Sequence, residues 1–170
     1  FTQGSRIISI NGQGGAVTPV DESVFLSAKN DKGAEGWTLT GTDKWEWQSY
    51  NGNYYLNISC QNDPQTDNLY AISPVIDLAA KGYKSMSFMH AAKFQDGGFK
   101  EKCQIAIREE GAKEWTVLKF TGYPGTENWT FVNSGDIDIS AYAGKKVEVA
   151  FIYGAGCTDK WEINDLTFAK

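Results

Sequence analysis

The sequence predicts an all-β protein, an antiparallel jelly-roll β-sandwich carrying one or two single-turn helices. Three observations predict it. Apolar and polar residues alternate with period two from Trp45 onward, short turn signals separate the alternating runs, and only two stretches have helical character, each about one turn long and closed by glycine. One dry and one wet face per strand is the mark of antiparallel sheets packed face to face.

Taken in order, Trp45 and Trp47 share a face, with Glu46 and Gln48 opposite. In YYLNISC (54–60), Tyr54, Leu56, Ile58 and Cys60 point one way, and Tyr55, Asn57 and Ser59 the other. SPVIDL (73–78) opens a strand at Pro74, where a missing N–H does no harm, and sends Val75 and Ile76 toward the core. Met86 and Phe88 alternate with Ser85 and Ser87, and Ile105 and Ile107 with Gln104 and Arg108. Val147, Val149, Phe151 and Tyr153 give the cleanest dry face. Turns are expected at Asn51-Gly52, 96–98, Gly111, 123–125 and 154–156. The two helical pieces, DLAAKG (77–82) and SAYAG (140–144), read as corners where the chain passes between sheet edges. In the second, Ser140 is expected to cap, Tyr142 to plug the sandwich end and Gly144 to leave with positive φ. In WEINDLTF, burial of Ile163, Leu166 and Phe168 together requires a bulge at Asn164-Asp165.

Domain organisation is expected to be one sandwich over residues 21–170, with 1–20 an added edge strand (RIISI, 6–10) or a linker tail. The glycine-rich 11–15 loop lacks the helix and the Gly-Lys-Ser/Thr of a phosphate cradle. A chain beginning at Phe1 reads as a mature or trimmed fragment, with any export signal upstream.

Composition narrows the function. The 170 residues carry a formal charge of −5 with no cluster of Lys and Arg, which argues against nucleic acid, and no apolar run reaches the ~20 residues of a membrane span. Cys60, Cys103 and Cys157 form no Cys-x-x-Cys motif; they are expected as buried small hydrophobes, the alternative being one disulfide and one free thiol. The single histidine, His90, is in phase with Met86 and Phe88 and reads as a packed residue rather than a base. No nucleophile elbow and no His-Glu-x-x-His helix occurs. Spacing along the chain does not exclude a glycosidase carboxylate pair, which leaves a glycoside hydrolase as the remote alternative. Aromatic residues make up 14% of the chain, enough to supply rings for a surface as well as a core. The candidate ligand-binding rings are Tyr50 and Tyr55, which lie on the polar phase, with Trp37, Tyr123 and Trp129; for each the competing reading is a core ring.

The ordered segments SPVIDL, SMSFMHAAKF (85–94), EWTVL (114–118), NWTFVNSGDIDISAYAGKKVEVAFIY (128–153) and WEIND (161–165) resemble the jelly-roll domain called choice-of-anchor J. That domain is related to the cleaved-adhesin domain, and this variant is similar to domains of exported bacterial surface lipoproteins. The resemblance covers about Gly36 to Phe168. It implies an exported, cell-surface or outer-membrane-anchored binding module that contacts glycan or a host or matrix protein, or else an assembly domain of a larger lipoprotein, and not an enzyme. Related jelly rolls often hold a structural Ca²⁺ at a sheet edge. By that resemblance Asn164 and Asp165 are candidate ligands, with Asp43, Glu22 or Asp21 completing the set. Asn164 departs from the family's more usual Asp. The competing reading is that both residues satisfy N–H groups at the bulge.

Overall fold

The computed structural model describes residues 22–94, 98–125 and 129–170. The expected strand at 6–10 and loop at 11–15, Asp21, and most of the turn at 96–98 lie outside the described residues.

Among the described residues thirteen strands follow in chain order: β1 (Val24–Phe25), β2 (Thr38–Leu39), β3 (Trp45–Tyr50), β4 (Asn53–Ser59), β5 (Leu69–Ile72), β6 (Ile76–Asp77), β7 (Ser85–Lys93), β8 (Cys103–Glu109), β9 (Thr116–Leu118), β10 (Val132–Asn133), β11 (Ile137–Asp138), β12 (Lys146–Tyr153) and β13 (Lys160–Ala169). They form two antiparallel sheets. The seven-stranded sheet has the order β10-β7-β13-β4-β3, with β1 on β13 and β11 on β7. The six-stranded sheet has the order β2-β5-β12-β8-β9, with β6 on β12. This is the jelly-roll sandwich that the alternation predicts.

Short helices mark the passages between layers. After β6 the single turn α1 (Leu78–Lys81) carries the chain to β7 in the other sheet; Asp77 accepts the Ala80 N–H at 3.0 Å, and Gly82 closes the turn at φ 71°. After β11 a 3₁₀ turn (Ser140–Tyr142) leads to β12, again in the opposite sheet. Both corners are where the sequence puts them. Ser140, however, is not the cap: its own N–H is received by the Asp138 carboxylate at 2.8 Å, an Asx turn in place of a serine cap. A third sheet-switching turn, α2 (Phe99–Lys102) between β7 and β8, is absent from the sequence reading. It follows a glycine pair and is too short to show a helical period.

The core lies between the inner faces. Met86, Phe88 and His90 of β7, Ile105 and Ile107 of β8, and Val147, Val149, Phe151 and Tyr153 of β12 are all buried, as the alternation requires. Val75 is a correction. It is 43% exposed while its neighbour Ile76 is buried, because successive residues of an extended chain point to opposite sides. The bulge is present. The β13–β7 register shifts between Asn164 and Thr167, with Asp165 at φ 47°, so Ile163, Leu166 and Phe168 are all buried.

His90 is a core residue with both ring nitrogens engaged. Nε2 lies 2.8 Å from the Gly122 carbonyl, and Nδ1 accepts the Trp161 indole N–H at 3.1 Å. That pairing selects the neutral Nε2–H tautomer. Burial drives its pKa down to about 4, although the Gly122 carbonyl pulls the other way. Gly122 could be nothing larger: a Cβ there would sit 1.9 Å from the Asn133 carbonyl oxygen. The three cysteines are buried and reduced, with the Cys103 and Cys157 sulfurs 4.0 Å apart. The Tyr153 hydroxyl ties together Asp159, whose carbonyl it meets at 2.6 Å, and Cys60, whose N–H it accepts at 3.1 Å.

Candidate functional site

The outer face of the seven-stranded sheet departs from the simple dry-in, wet-out pattern. Alternation turns Tyr55 and Asn57 of β4, Glu162 and Asn164 of β13, and Ala91 of β7 outward, yet every one of them is buried. Side chains close over this part of the sheet and leave a cleft of about 520 Å³ lined by Tyr50, Asn53, Tyr55, Trp129, Phe131, Lys160 and Glu162.

Local chemistry places each side chain. Asn51 and Gly52 both have positive φ, 52° and 77°, the requirement of the tightest hairpin turn, and the Asn-Gly pair anticipates it. The turn sets Tyr50 opposite Asn53 in register and leaves Tyr50 71% exposed at the cleft mouth. Asn53 is held from below. The buried Asn164 amide donates to the Tyr54 carbonyl at 2.8 Å and approaches the Asn53 side-chain oxygen at 3.4 Å. Tyr55 packs against Phe131 with ring centroids 5.9 Å apart. Burial raises its pKa above the ordinary tyrosine value, with the neighbouring Glu162 carboxylate adding to the rise. Glu162 is pushed above the usual carboxylate range by burial, against the opposing pull of the Lys160 ammonium and the Tyr55 hydroxyl. Asn57, opposite Glu162 in register, has a buried side-chain oxygen with no hydrogen-bond partner. At the far end Trp129 is 41% exposed, edge-on to Phe94, with the Lys160 and Lys93 ammoniums 5.1 and 5.6 Å from its ring.

Chemically, this is an apolar platform bordered by directed polar groups. Exposed ring faces fit the C–H face of a sugar, and Asn53, Glu162 and Lys160 offer donors and acceptors to hydroxyls. Three of the five rings singled out in the sequence, Tyr50, Tyr55 and Trp129, are brought together here. The other two lie elsewhere. Trp37 stacks on Phe151 at 6.2 Å and packs against the core, and Tyr123 lies 4.6 Å from Phe120 in the cluster around His90, under the Lys100 ammonium. The sequence reading missed Asn53, Phe131, Lys160 and Glu162. The in-phase Lys160, Glu162 and Asn164 of the last strand were the available signal.

The metal candidates do not converge. Asp165 spends Oδ1 on the Ala28 N–H at 2.8 Å and its own N–H on the Leu26 carbonyl at 2.9 Å. Asn164 is engaged with the hairpin as described. Asp43 precedes Trp45, which opposes Ile58, so it lies toward the opposite end of β4 from the Tyr54 that Asn164 holds; there its carboxylate is 3.8 Å from Lys44. Glu22 pairs with Lys81 at 3.0 Å. These residues do not fit a calcium cage, which needs six to eight oxygens around one point. Asp165, bonded to the Ala28 N–H and the Leu26 carbonyl, has the bulge-satisfying role.

The chain matches no protein-family model and no curated protein sequence. Its similarity is to solved structures. The K2 cleaved adhesin domain of Lys-gingipain aligns with a TM-score of 0.53 and 15% identity, over 88% of this chain and 94% of that one. A carbohydrate-binding module of family 29 aligns with a TM-score of 0.55 and 14% identity, over 86% of each chain. The K3 cleaved adhesin domain of Lys-gingipain from Porphyromonas gingivalis W83 gives 0.51 and 12%, over 80% and 93%. What is shared is the fold. Among the described residues no helix is long and apolar enough to cross a membrane.

Proposed function

We propose that this domain is a non-catalytic binding module that holds a glycan in the cleft on the outer face of its seven-stranded sheet. The observation that carries the reading is the gathering of Tyr50, Tyr55, Trp129 and Phe131 with Asn53, Lys160 and Glu162 around one open cavity. Nothing in the packing of the sandwich demands an indole or a phenol at the exposed positions 129 and 50, whereas sugar stacking does. The likeness in fold to cleaved adhesin domains and to a carbohydrate-binding module supports the same class of function.

In the same reading the domain belongs with the choice-of-anchor J group and works outside the cell, on a surface-anchored protein. Binding to a glycan panel tests it. The expected result is saturable binding that Trp129→Ala and Tyr50→Ala each weaken at least tenfold while the melting temperature holds. Absence of binding across neutral and charged panels would overturn the glycan reading.

A further inference from the structure

The Trp129 end of the cleft carries a feature that sheet stability does not explain. Lys160 of β13 and Lys93 of β7 are Cα partners in the antiparallel ladder and project from the same outer face. Like charges directly opposite each other are destabilising. The chain does not lack acids to relieve this, since it has 21 Asp and Glu against 16 Lys and Arg. Elsewhere those acids are used: Lys44 pairs with Asp63 at 2.7 Å, Lys81 with Glu22 at 3.0 Å, Arg108 with Glu148 at 3.0 Å and Lys145 with Glu109 at 3.2 Å. Among the described residues neither Lys93 nor Lys160 forms an ion pair. Glu162, the acid that shares the cleft lining with Lys160, is buried beside Tyr55.

Both ammoniums instead lean on one ring, 5.6 and 5.1 Å from the centre of Trp129. A cation–π contact holds an ammonium in place without neutralising it. Two positive charges are thereby positioned around the most exposed indole of the cleft, in a chain whose overall sign is negative.

Resting on the glycan reading above, we propose that this end of the cleft takes an anionic sugar residue, one bearing a carboxylate or a sulfate, held between Lys93 and Lys160 with its ring against Trp129. Ammonium-to-anion hydrogen bonds are charge-assisted and are roughly twice as strong as neutral ones. Bringing the anion in also cancels the repulsion between the two lysines, so ligand binding relieves a cost built into the free protein. Tyr50 and Asn53, at the other end, are left to neighbouring neutral residues of the same chain.

The test uses an array holding neutral, uronate-bearing, sialylated and sulfated oligosaccharides. Titration of the strongest hit, of its carboxyl-reduced or desulfated counterpart, and of the Lys93→Gln, Lys160→Gln and Lys160→Arg variants then follows. The expected result is binding concentrated on anionic members, with at least tenfold loss on neutralising the sugar and a comparable loss in the double Gln variant. Lys160→Arg should retain most affinity, and binding should weaken as salt rises. The carboxylated and sulfated arms separately identify which anion is preferred. Binding that is equally strong for neutral and anionic members, or unchanged in the double Gln variant, would overturn this proposal and leave the glycan reading standing. No binding to any member would remove both.

Discussion

On the outer face of the six-stranded sheet, Trp115 stacks on Tyr70 at 6.1 Å, Arg108 lies 4.2 Å over the Trp115 ring, and Glu148 pairs with Arg108 at 3.0 Å. On the outer face of the seven-stranded sheet, Trp129 is met by two lysines with no carboxylate paired to either among the described residues. Both faces thus set an indole beside a cation. The first completes itself: its ring stacks on another ring and its charge is neutralised, so its groups already have what a ligand would bring. The second is left open in both respects, with ring surface and positive charge facing the cleft. The same residue types are structural on one side of the sandwich and available for recognition on the other, and what separates them is whether the partner is already in the chain.

The largest expected effect concerns what both faces share, the core histidine. Folding lowers the His90 pKa from 6.5 to about 4, so the unfolded chain takes up the proton first on acidification. Stability is therefore full above about pH 6.5 and is lost as pH falls through about 4, by about 3 kcal/mol from this group. Urea unfolding across that range should show the loss, and His90→Gln should flatten it. A flat wild-type profile would mean that His90 is not held neutral. Next, Trp129→Ala should weaken glycan binding at least tenfold, about 1.4 kcal/mol, with little change in stability, whereas Trp115→Ala should leave binding intact and lower stability instead. Equal effects of the two on binding would erase the contrast between the faces.

Smaller effects sharpen it. Because the Glu162 pKa is raised in the folded state, the group stabilises when protonated and that contribution fades as pH rises through the folded value. Glu162→Gln should then be neutral or mildly stabilising at pH 7, while Glu148→Gln, which strips Arg108 of its partner, should cost up to about 1 kcal/mol. Opposite signs in denaturant titrations would confirm that one acid serves the fold and the other the site. Calcium should do least: added Ca²⁺ or a chelator should leave the melting temperature unchanged, since Asp165 Oδ1 already accepts the Ala28 N–H and the Asn164 amide donates to the Tyr54 carbonyl, turned to the hairpin and not to a shared cation.

Much of this was legible in the alternation. Strand faces with period two located the core from Leu56 to Phe168, and glycine-closed single turns located two of the three short helical turns at which the described chain changes sheet. The bulge followed from counting, since Ile163, Leu166 and Phe168 cannot otherwise share a side. The cleft was only half legible. Tyr50 and Tyr55 stand on the polar phase of one hairpin, and that much is local. Their meeting with Trp129, Phe131 and Glu162 depends on the pairing of β4, β13 and β7, which no local pattern encodes. Trp37 and Tyr123 do not join this cleft, and no local signal sets them apart, because a ring beside a turn looks alike whether it faces water or Phe151 and Phe120. Val75 failed because a two-residue apolar run carries no phase of its own.

The position of β13 has a consequence for how the molecule comes into being. The last strand of the sandwich lies in the middle of its sheet, between β7 and β4, and brings Lys160 and Glu162 with it. Until residues 160–169 have left the ribosome, two long strands wait with bare hydrogen-bonding edges, each an invitation to pair with a neighbouring chain. The nascent protein can therefore have no recognition surface, and its exposure to aggregation ends in the same step that creates one. Chaperone shielding during synthesis would matter most over the interval between the emergence of β7 and the arrival of β13.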